Sequence, residues 1–324
     1  MKKRQLGKTS MYVHPVGLGC MGFSHAYGLA EDRETAIQVM KEAHALGYNF
    51  YDTAECYTGE NKDGSISYNE ELVGEAIHDF RDEVIIATKF GVEHKGDHLE
   101  FDSSPKAIRN ALEGSLKRLN VDYIDLYYQH RIDPKVEPET VAGVMKELIE
   151  EGKIKAWGIS EVNEDYLRRA HAICPVTAIQ NRYSMLARWH EKLFDVCEEL
   201  GITYVAFSPM ANGLLTGQFT SQTQFPEGDF RNNMPQYQEE GYQKAQALLD
   251  ILKELALKKN ATMAQISLAW MMCKKDFIIP IPGSRKLSRL EENFNASHIE
   301  LSQEEIQNID KQLETMEFDV FGGH

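Results

Sequence analysis

Short apolar runs recur along the chain and alternate with longer segments whose apolar residues follow helical spacing. Each run is apolar at successive positions, which is typical of parallel strands that helices cover on their faces. Amphipathic segments such as 34–47, 105–120, 140–152 and 261–275 lie between the runs. The eight runs lie at 13–19, 49–54, 84–90, 123–130, 154–160, 177–183, 202–209 and 277–283.

This alternation predicts parallel strands that are joined by helical crossovers. Eight strand–helix units within 324 residues match the size of an α/β fold of the (β/α)8 TIM barrel type. We therefore expect residues 1–324 to form one domain. A doubly wound open sheet is the alternative architecture for the same pattern. Helix boundaries are indicated by Ser104 before a proline and by Gly47, Asn120 and Gly152 after amphipathic segments.

Three segments fall outside the repeating pattern. Residues 2–14 lie before or at the start of the first run, and we expect them to form a small hairpin that closes the bottom of the barrel. A polar segment at about 211–242 follows the seventh run and is too long for a plain connection, which predicts a lid. The tail after Ser302 has a helical pattern and predicts a C-terminal helix.

Charge and composition exclude several classes of function. The formal net charge of −15, from 35 basic and 50 acidic residues, argues against a nucleic-acid or anionic membrane surface. We expect neither a signal peptide nor a membrane span, because no stretch approaches about 18 apolar residues. Five scattered cysteines without a C-x-x-C motif favour the reduced thiols of a cytoplasmic protein over a disulfide framework or a metal site. The oligomeric state stays open.

Ionisable residues end three consecutive apolar runs. Asp52 ends the second run, Lys89 lies at the end of the third, and His130 ends the fourth, while Tyr57 follows Asp52 by five residues. Because the C-terminal ends of barrel strands converge on one face, these side chains are expected to meet there. An ammonium group beside a phenol lowers the phenol pKa, a carboxylate holds the ammonium, and an imidazole donates to developing negative charge. The set can protonate a carbonyl oxygen.

The glycines of "VGLGCMGF" (16–23) spell G-x-G-x-x-G, the phosphate-binding pattern of dinucleotide folds. That pattern requires a helix directly after the third glycine, whereas the first helical pattern begins near Arg33. We therefore interpret Gly17 and Gly19 as tight packing at the end of the first strand. Met21, Gly22 and Phe23 are then expected to form a loop under the cofactor and substrate.

Seven sequence blocks follow one another along the chain: "GYNFYDTAECY" (47–57), "VIIATKF" (84–90), "DLYYQHRID" (125–133), "GIS" (158–160), "IQNRYS" (179–184), "AFSPMANGLLTG" (206–217) and "IPGSRKLSRLEEN" (281–293). As a set and in this order, they resemble the aldo-keto reductase superfamily. The resemblance implies a (β/α)8 barrel and NADPH-dependent reduction of a carbonyl. It makes Tyr57 the proton donor, Asp52 and Lys89 the pair that tunes it, and His130 the residue that orients the carbonyl.

The same resemblance implies where NADPH binds. Residues at the ends of strands five to seven match positions that hold the nicotinamide, the segment after strand seven matches a pyrophosphate loop, and the segment after strand eight matches residues around the adenosine 2′-phosphate. Two positions depart from the pattern: Glu161 replaces a common asparagine, and Gly283 replaces a common lysine, which shifts phosphate contacts to Arg285. The expected cofactor residues are Met21, Gly22, Asp52, Ser160, Gln180, Phe207, Ser208, Pro209, Met210, Gly213, Leu215, Gly217, Gly283, Ser284, Arg285, Arg289, Glu292 and Asn293.

The expected substrate is a small aldehyde or ketone, since loop aromatic residues suggest a partly aromatic pocket. Two other functions stay open. Lys89 could form a Schiff base in an aldolase, or the chain could be a cofactor-binding regulatory subunit of the potassium-channel β type with little turnover. The expected substrate residues are Phe23, Tyr27, Tyr57, Phe90 and His130.

Overall fold

The central sheet consists of eight parallel strands, labelled here β1 to β8 in chain order. The structure, a computed structural model, describes residues 2–96 and 98–321. Each strand pairs with its neighbours in sequence, as the crossover rule for strand–helix units requires. The strands are β1 (Leu18–Gly19), β2 (Phe50–Asp52), β3 (Ile85–Phe90), β4 (Ile124–Gln129), β5 (Ile154–Ser160), β6 (Ala178–Arg182), β7 (Thr203–Phe207) and β8 (Ile278–Pro280).

Backbone hydrogen bonds between the first and last strands close the sheet. The amide of Gly17 donates to the carbonyl of Pro280 at 2.9 Å, and the amide of Gly19 donates to Pro282 at 3.3 Å. A doubly wound sheet would leave these two strands as edges. The predicted (β/α)8 barrel is therefore confirmed, and the open-sheet alternative is wrong.

Helices cover the outside of the barrel, and their ends follow local capping chemistry. The carboxylate of Asp32 accepts from the Thr35 amide at the first helix, and Gly47 ends that helix with φ +112°. Ser104 caps the third helix and Asn120 ends it at φ +52°. The helices are α1 (Arg33–Leu46), α2 (Asn69–Ile77), α3 (Pro105–Leu119), α4 (Pro138–Glu150), α5 (Glu164–Ile173), α6 (Phe194–Leu200), α7 (Glu239–Lys259), α8 (Met263–Lys274), α9 (Leu287–Asn295) and α10 (Gln303–Leu313).

Two apolar layers hold this arrangement. One layer lies between the strands and the helices, and it contains most of the buried side chains. The other fills the barrel interior, where Phe50, Leu126 and Val205 pack with Leu6 and Val13 from the N-terminal segment. A filled interior leaves chemistry to the strand ends and their loops.

The N-terminal segment forms the predicted hairpin, with Arg4–Gln5 antiparallel to Tyr12–Val13. It closes the bottom of the barrel, because the Gly7 amide donates to the Thr203 side chain at the start of β7. The first apolar run, 13–19, is consequently divided between two elements. Val13 belongs to the hairpin, and only Leu18–Gly19 enters the barrel.

Several loops contain structure that the pattern did not predict. Antiparallel hairpins join Thr58–Glu60 to Ile66–Tyr68 and Val92–Lys95 to His98–Phe101. The predicted lid at 211–242 contains short 3-10 helices and ends inside α7, which begins at Glu239. The C-terminal helix is confirmed as α10, and a reciprocal pair of Ser302 and Glu305 hydrogen bonds caps it.

Candidate active site

The ends of β2 and β3 and the loop after β2 bring a carboxylate, an ammonium and a phenol close together. The Nζ atom of Lys89 lies 2.6 Å from Oδ1 of Asp52, 2.7 Å from the carbonyl oxygen of Thr53 and 3.3 Å from Oη of Tyr57. The ring of Tyr57 also lies under the same ammonium, with its centroid 4.9 Å from Nζ. The predicted convergence of Asp52, Tyr57 and Lys89 is therefore present in the structure.

Burial makes this ion pair strong and dependent on its geometry. The side chain of Lys89 is 0% exposed and that of Asp52 is 3% exposed. Burial opposes the charge on Lys89, but Asp52 and Tyr57 outweigh it and raise the lysine pKa. Burial raises the pKa of Asp52, although Lys89 and Gln180 act in the opposite direction and favour its charged form. Both Asp52 oxygens accept hydrogen bonds, from Lys89 at 2.6 Å and from Gln180 at 2.7 Å, as an ionised carboxylate does.

Tyr57 differs from the expectation in one respect. Lys89 lowers the pKa of its phenol, as the residue types predicted, but burial has the larger effect and the net direction is upward. Tyr57 therefore keeps its proton at neutral pH. Because Lys89 donates to Oη, the hydroxyl proton of Tyr57 can be donated to another acceptor.

His130 completes the group from the end of β4. Its backbone amide donates to the carbonyl of Phe90 at 3.0 Å, and its ring meets that of Tyr57 edge-on, with centroids 5.7 Å apart. Burial, with Arg131 and Lys89 nearby, holds the pKa of His130 well below its usual value. The imidazole is therefore neutral and carries a single N–H. Its Nδ1 atom lies 3.5 Å from Sγ of Cys56.

The expected nicotinamide residues lie at the ends of the next three strands. Ser160 ends β5 and accepts from Arg131 at 3.2 Å, while Gln180 in β6 reaches Asp52. Phe207 ends β7 and is partly exposed. The guanidinium of Arg182 lies 4.9 Å from the Phe207 ring centroid. The Gln180 amide thus contacts the Asp52–Lys89 pair, while a hydroxyl and an aromatic ring lie at the ends of β5 and β7.

Glu161 follows Ser160 with φ +51°, a left-handed conformation that asparagine adopts more readily than glutamate. Its carboxylate accepts from the backbone amide of Arg182 at 2.8 Å and lies 3.7 Å from His190. Burial opposes its charge, but His190 and the amide outweigh burial and lower the pKa of Glu161. This departure from the family pattern therefore ties the loop after β5 to the end of β6.

The segment after β7 is a compact turn in the left-handed region. Ser208 has φ +50° and Gly213 has φ +104°, and a Cβ atom on Gly213 would lie 2.9 Å from the Phe219 ring. Gly217 ends the turn at φ +70°. The other expected pyrophosphate-loop residues, Pro209, Met210 and Leu215, belong to the same segment.

The segment after β8 holds two arginines with different partners. Arg285 donates to the carbonyls of Gly22 and Leu29 in the loop after β1, whereas Arg289 pairs with Glu292 at 2.6 Å. Two buried donors there, Nη2 of Arg285 and Nδ2 of Asn293, have no hydrogen-bond partner among the described residues. Unpaired buried donors are costly, so these two atoms mark a place where an acceptor fits.

The opening glycines lie where the barrel closes. A Cβ atom on Gly17 would lie 2.7 Å from the Phe50 ring, and one on Gly19 would lie 2.6 Å from the carbonyl oxygen of Ile281. Gly283 has the same constraint, with 2.5 Å to the carbonyl oxygen of Gly19. The interpretation of Gly17 and Gly19 as tight packing is confirmed. Gly22 has no such clash, because its nearest neighbour would be Tyr27 at 3.6 Å.

The expected substrate residues separate into two groups. Phe23 and Phe90 are 1% and 0% exposed, and Phe90 packs against Tyr127 at 4.9 Å in the outer core layer. They do not line an open cleft in this structure. Tyr27 is partly exposed and accepts from Asn212 at 3.2 Å. The sequence interpretation missed His25, whose ring lies 5.8 Å from the Tyr57 ring. It singled out Phe23 and Tyr27 in the same loop, but no motif or periodicity distinguishes His25.

The predicted lid contacts the loop after β1. Tyr27 and Asp229 form an isolated antiparallel bridge, and the amide of Phe230 donates to the carbonyl of Ala26 at 3.0 Å. Arg231 pairs with Asp229 at 2.6 Å and lies 5.1 Å from the Tyr27 ring centroid. These contacts connect the two sides of the barrel mouth beside the site.

A family model described as "Aldo/keto reductase family" matches residues 15–314. The chain belongs to the aldo-keto reductase family. A "Probable aldo-keto reductase 1" of Glycine max is 38% identical over 308 residues, covering 94% of this chain and 87% of that protein. "Aldo-keto reductase yakc [NADP(+)]" of Schizosaccharomyces pombe is 37% identical over 314 residues, covering 94% and 89%.

Solved structures of aldo-keto reductases agree with this membership. The glycerol dehydrogenase AKR11B4 of Gluconobacter oxydans has a TM-score of 0.86 at 26% identity, covering 97% of this chain and 95% of that chain. Aldo-keto reductases are oxidoreductases that use nicotinamide cofactors. In the described ranges, no three His, Cys, Asp or Glu side chains are grouped to hold a metal ion. No helix of residues 2–96 or 98–321 is long and apolar enough to cross a bilayer.

Proposed function

We propose that this aldo-keto reductase transfers a hydride from NADPH to small aldehydes or ketones, with Tyr57 as the proton donor. The observation that carries the proposal is the contact of the Lys89 ammonium with both the Asp52 carboxylate and the Tyr57 hydroxyl. A buried lysine that was merely structural would not need a phenol as its third partner. The alternative of a Schiff-base lysine fits this geometry poorly, because Asp52 and Tyr57 raise the pKa of Lys89 and a nucleophilic amine must be unprotonated.

The roles follow from the hydrogen bonds. The substrate oxygen accepts from the hydroxyl of Tyr57 and from an N–H of the neutral His130 imidazole, which together orient the carbonyl. A bound NADPH would supply the hydride that the carbonyl carbon accepts. The Tyr57 proton moves to the carbonyl oxygen, and the Lys89 ammonium stabilises the phenolate that remains. Asp52 keeps Lys89 charged and in place, and solvent then restores the phenol proton.

The residues present fit a nicotinamide cofactor that carries a 2′-phosphate. Ser160, Gln180 and Phe207 would hold the nicotinamide, since they belong to three consecutive strands, β5 to β7, and Gln180 donates to Asp52. The unpartnered donors of Arg285 and Asn293 are suited to phosphate and adenine acceptors. Guanidinium groups match phosphate oxygens in charge and in donor geometry. We therefore propose that NADPH binds in preference to NADH.

The test is an NADPH-oxidation assay against a panel of aldehydes, ketones, quinones and sugars, with wild-type protein and Tyr57→Phe. We expect turnover by the wild type, and a loss of more than tenfold in kcat for Tyr57→Phe with nearly unchanged NADPH binding. The removed hydroxyl acts in the transition state, so the loss exceeds about 1.4 kcal/mol. Tight NADPH binding without turnover of any substrate would instead support the regulatory-subunit alternative.

A matched control separates the hydroxyl of Tyr57 from the shape of its ring. Tyr127 is another fully buried tyrosine, and its hydroxyl donates to the carbonyl of Ile108 in α3 at 3.4 Å, in the outer core layer. Tyr127→Phe is therefore expected to retain wild-type kcat. Equal losses in both variants would mean that the assay reports general damage to the barrel, and Tyr57 would not be the donor.

A further inference from the structure

The thiol of Cys56 lies against the candidate catalytic histidine. Its Sγ atom is 3.5 Å from Nδ1 of His130. Among the residues that the structure describes, no other hydrogen-bond partner reaches the His130 ring. Cys56 immediately precedes Tyr57, and its own carbonyl accepts from the amide of Thr58 at 2.9 Å. The turn that places the phenol therefore also places the thiol.

Both groups are uncharged at neutral pH. Burial raises the pKa of the Cys56 thiol to about 12, so the sulfur keeps its proton. Burial, with the cationic neighbours Arg131 and Lys89, holds the pKa of His130 well below its usual value. A neutral imidazole has one N–H and one bare nitrogen, and its second partner decides which nitrogen carries the proton.

Two pairings of these groups are conceivable, and their chemistry is unequal. The thiol can donate to a bare Nδ1, or a protonated Nδ1 can donate to sulfur. An imidazole nitrogen is a good acceptor, whereas sulfur is a weak one. The first pairing therefore has the lower free energy. It leaves the proton on Nε2, the nitrogen that Cys56 does not contact.

We propose that Cys56 is a positioning residue, whose thiol donates to Nδ1 of His130 and holds the imidazole as the Nε2–H tautomer. The inference rests on the proposed function for its consequence, because the Nε2–H group is then the donor to the substrate carbonyl. The opposite tautomer would present a lone pair to that oxygen and repel it. Cys56 itself touches neither the substrate oxygen nor the cofactor in this role.

The direct test is nitrogen NMR of protein labelled with ring-15N histidine, with the His130 signals identified by their loss in His130→Gln. In the wild type we expect a protonated Nε2 and a bare Nδ1. A protonated Nδ1 would overturn the proposal. In Cys56→Ala we expect a mixture of both tautomers, and in Cys56→Ser the wild-type tautomer, because a hydroxyl also donates. An unchanged tautomer in Cys56→Ala would equally overturn it.

Kinetics supply the second readout. Losing one neutral hydrogen bond should lower kcat for Cys56→Ala by about twofold to tenfold, with KM for NADPH unchanged and activity restored in Cys56→Ser. Without the thiol donor, the acid limb of the pH–rate profile should also move to higher pH. Cys273→Ala is the matched control, because Cys273 donates to the carbonyl of Ile299 away from the site; it should keep both tautomer and kcat.

The two measurements separate this proposal from the proposed function. The NMR result does not depend on turnover, so the Nε2–H tautomer and its loss in Cys56→Ala support the thiol's role even if no carbonyl substrate is reduced. If Cys56→Ala does not fold, the wild-type spectrum and Cys56→Ser still decide the matter. A normal tautomer in Cys56→Ala together with lowered kcat would mean that Cys56 acts only through packing, against the proposal.

Discussion

Replacing Lys89 with methionine removes an ammonium group that solvent does not reach and keeps a chain of similar length. The Asp52 carboxylate, 3% exposed and 2.6 Å from that ammonium, is then left buried without its counter-charge. Removing one partner of a buried ion pair typically lowers the free energy of unfolding by about 3–5 kcal/mol. We therefore expect Lys89→Met to be strongly destabilised as well as inactive.

Proton uptake sets a limit on that loss. In the variant, Asp52 can become neutral by binding a proton. For a carboxyl with the usual pKa of 3.8, protonation costs about 4 kcal/mol at pH 7 and about 2 kcal/mol at pH 5. In the variant, the folded protein raises the pKa of Asp52 and binds a proton more tightly than the unfolded chain. Stability is therefore lost as pH rises, and the gap between Lys89→Met and wild type should narrow on acidification.

Urea unfolding followed by tryptophan fluorescence measures this gap at pH 5 and pH 7, since Trp157 and Trp270 are fully buried. The double variant Lys89→Met, Asp52→Asn has no buried charge, so it should regain most of the loss at pH 7. Lys258→Met is the surface control, because its pair with Glu254 is exposed to solvent and such surface pairs contribute little to stability. A gap below about 1 kcal/mol, or one that does not change with pH, would refute the reasoning.

Three further outcomes are expected. Burial raises the pKa of Glu55 from 4.5 to about 7, so about 3 kcal/mol of stability should be lost as the pH rises between these two values. In Glu55→Gln the urea midpoint should therefore depend less on pH in this range. A plot of urea midpoint against pH with the wild-type slope would contradict this. NADPH should protect 218–240 from limited proteolysis, and equal cleavage with and without NADPH would count against a closing lid. Arg289→Ala and Arg285→Ala should each weaken NADPH by roughly tenfold to a hundredfold but leave NADH unchanged. Titration of both cofactors decides this, and a loss shared by NADH would remove the phosphate site.

The candidate catalytic group could be predicted because its residues lie at or near the ends of strands. Asp52, Lys89 and His130 interrupt apolar runs, and barrel geometry alone brings such positions to one face. The helix ends at Gly47 and Asn120 were equally accessible, since a left-handed residue ends each helix. In these cases a local rule and the global fold agree, so the sequence pattern is sufficient.

Loop contacts could not be predicted, because they depend on where two remote segments meet. The sequence pattern does not predict that Arg285 donates hydrogen bonds to the carbonyls of Gly22 and Leu29. It also does not predict that the Phe90 side chain packs in the outer core layer. The upward shift of the Tyr57 pKa could not be predicted from the sequence either. The sequence indicates that Lys89 lies nearby, but the larger effect of burial depends on how the surrounding residues pack.

The glycines near the start of the chain show how a motif can point to the correct cofactor for an unrelated reason. Gly19 and Gly283 face each other where β1 meets the segment after β8, and a Cβ on either would lie about 2.5 Å from a backbone oxygen of the opposite segment. A lysine at 283 would therefore require the barrel closure to widen. The nearest cation that this packing allows is Arg285, two residues on, which reaches across the same closure to the carbonyl of Gly22. The glycines therefore affect the proposed phosphate site indirectly, because their close packing sets the position of Arg285. They do not bind the phosphate themselves.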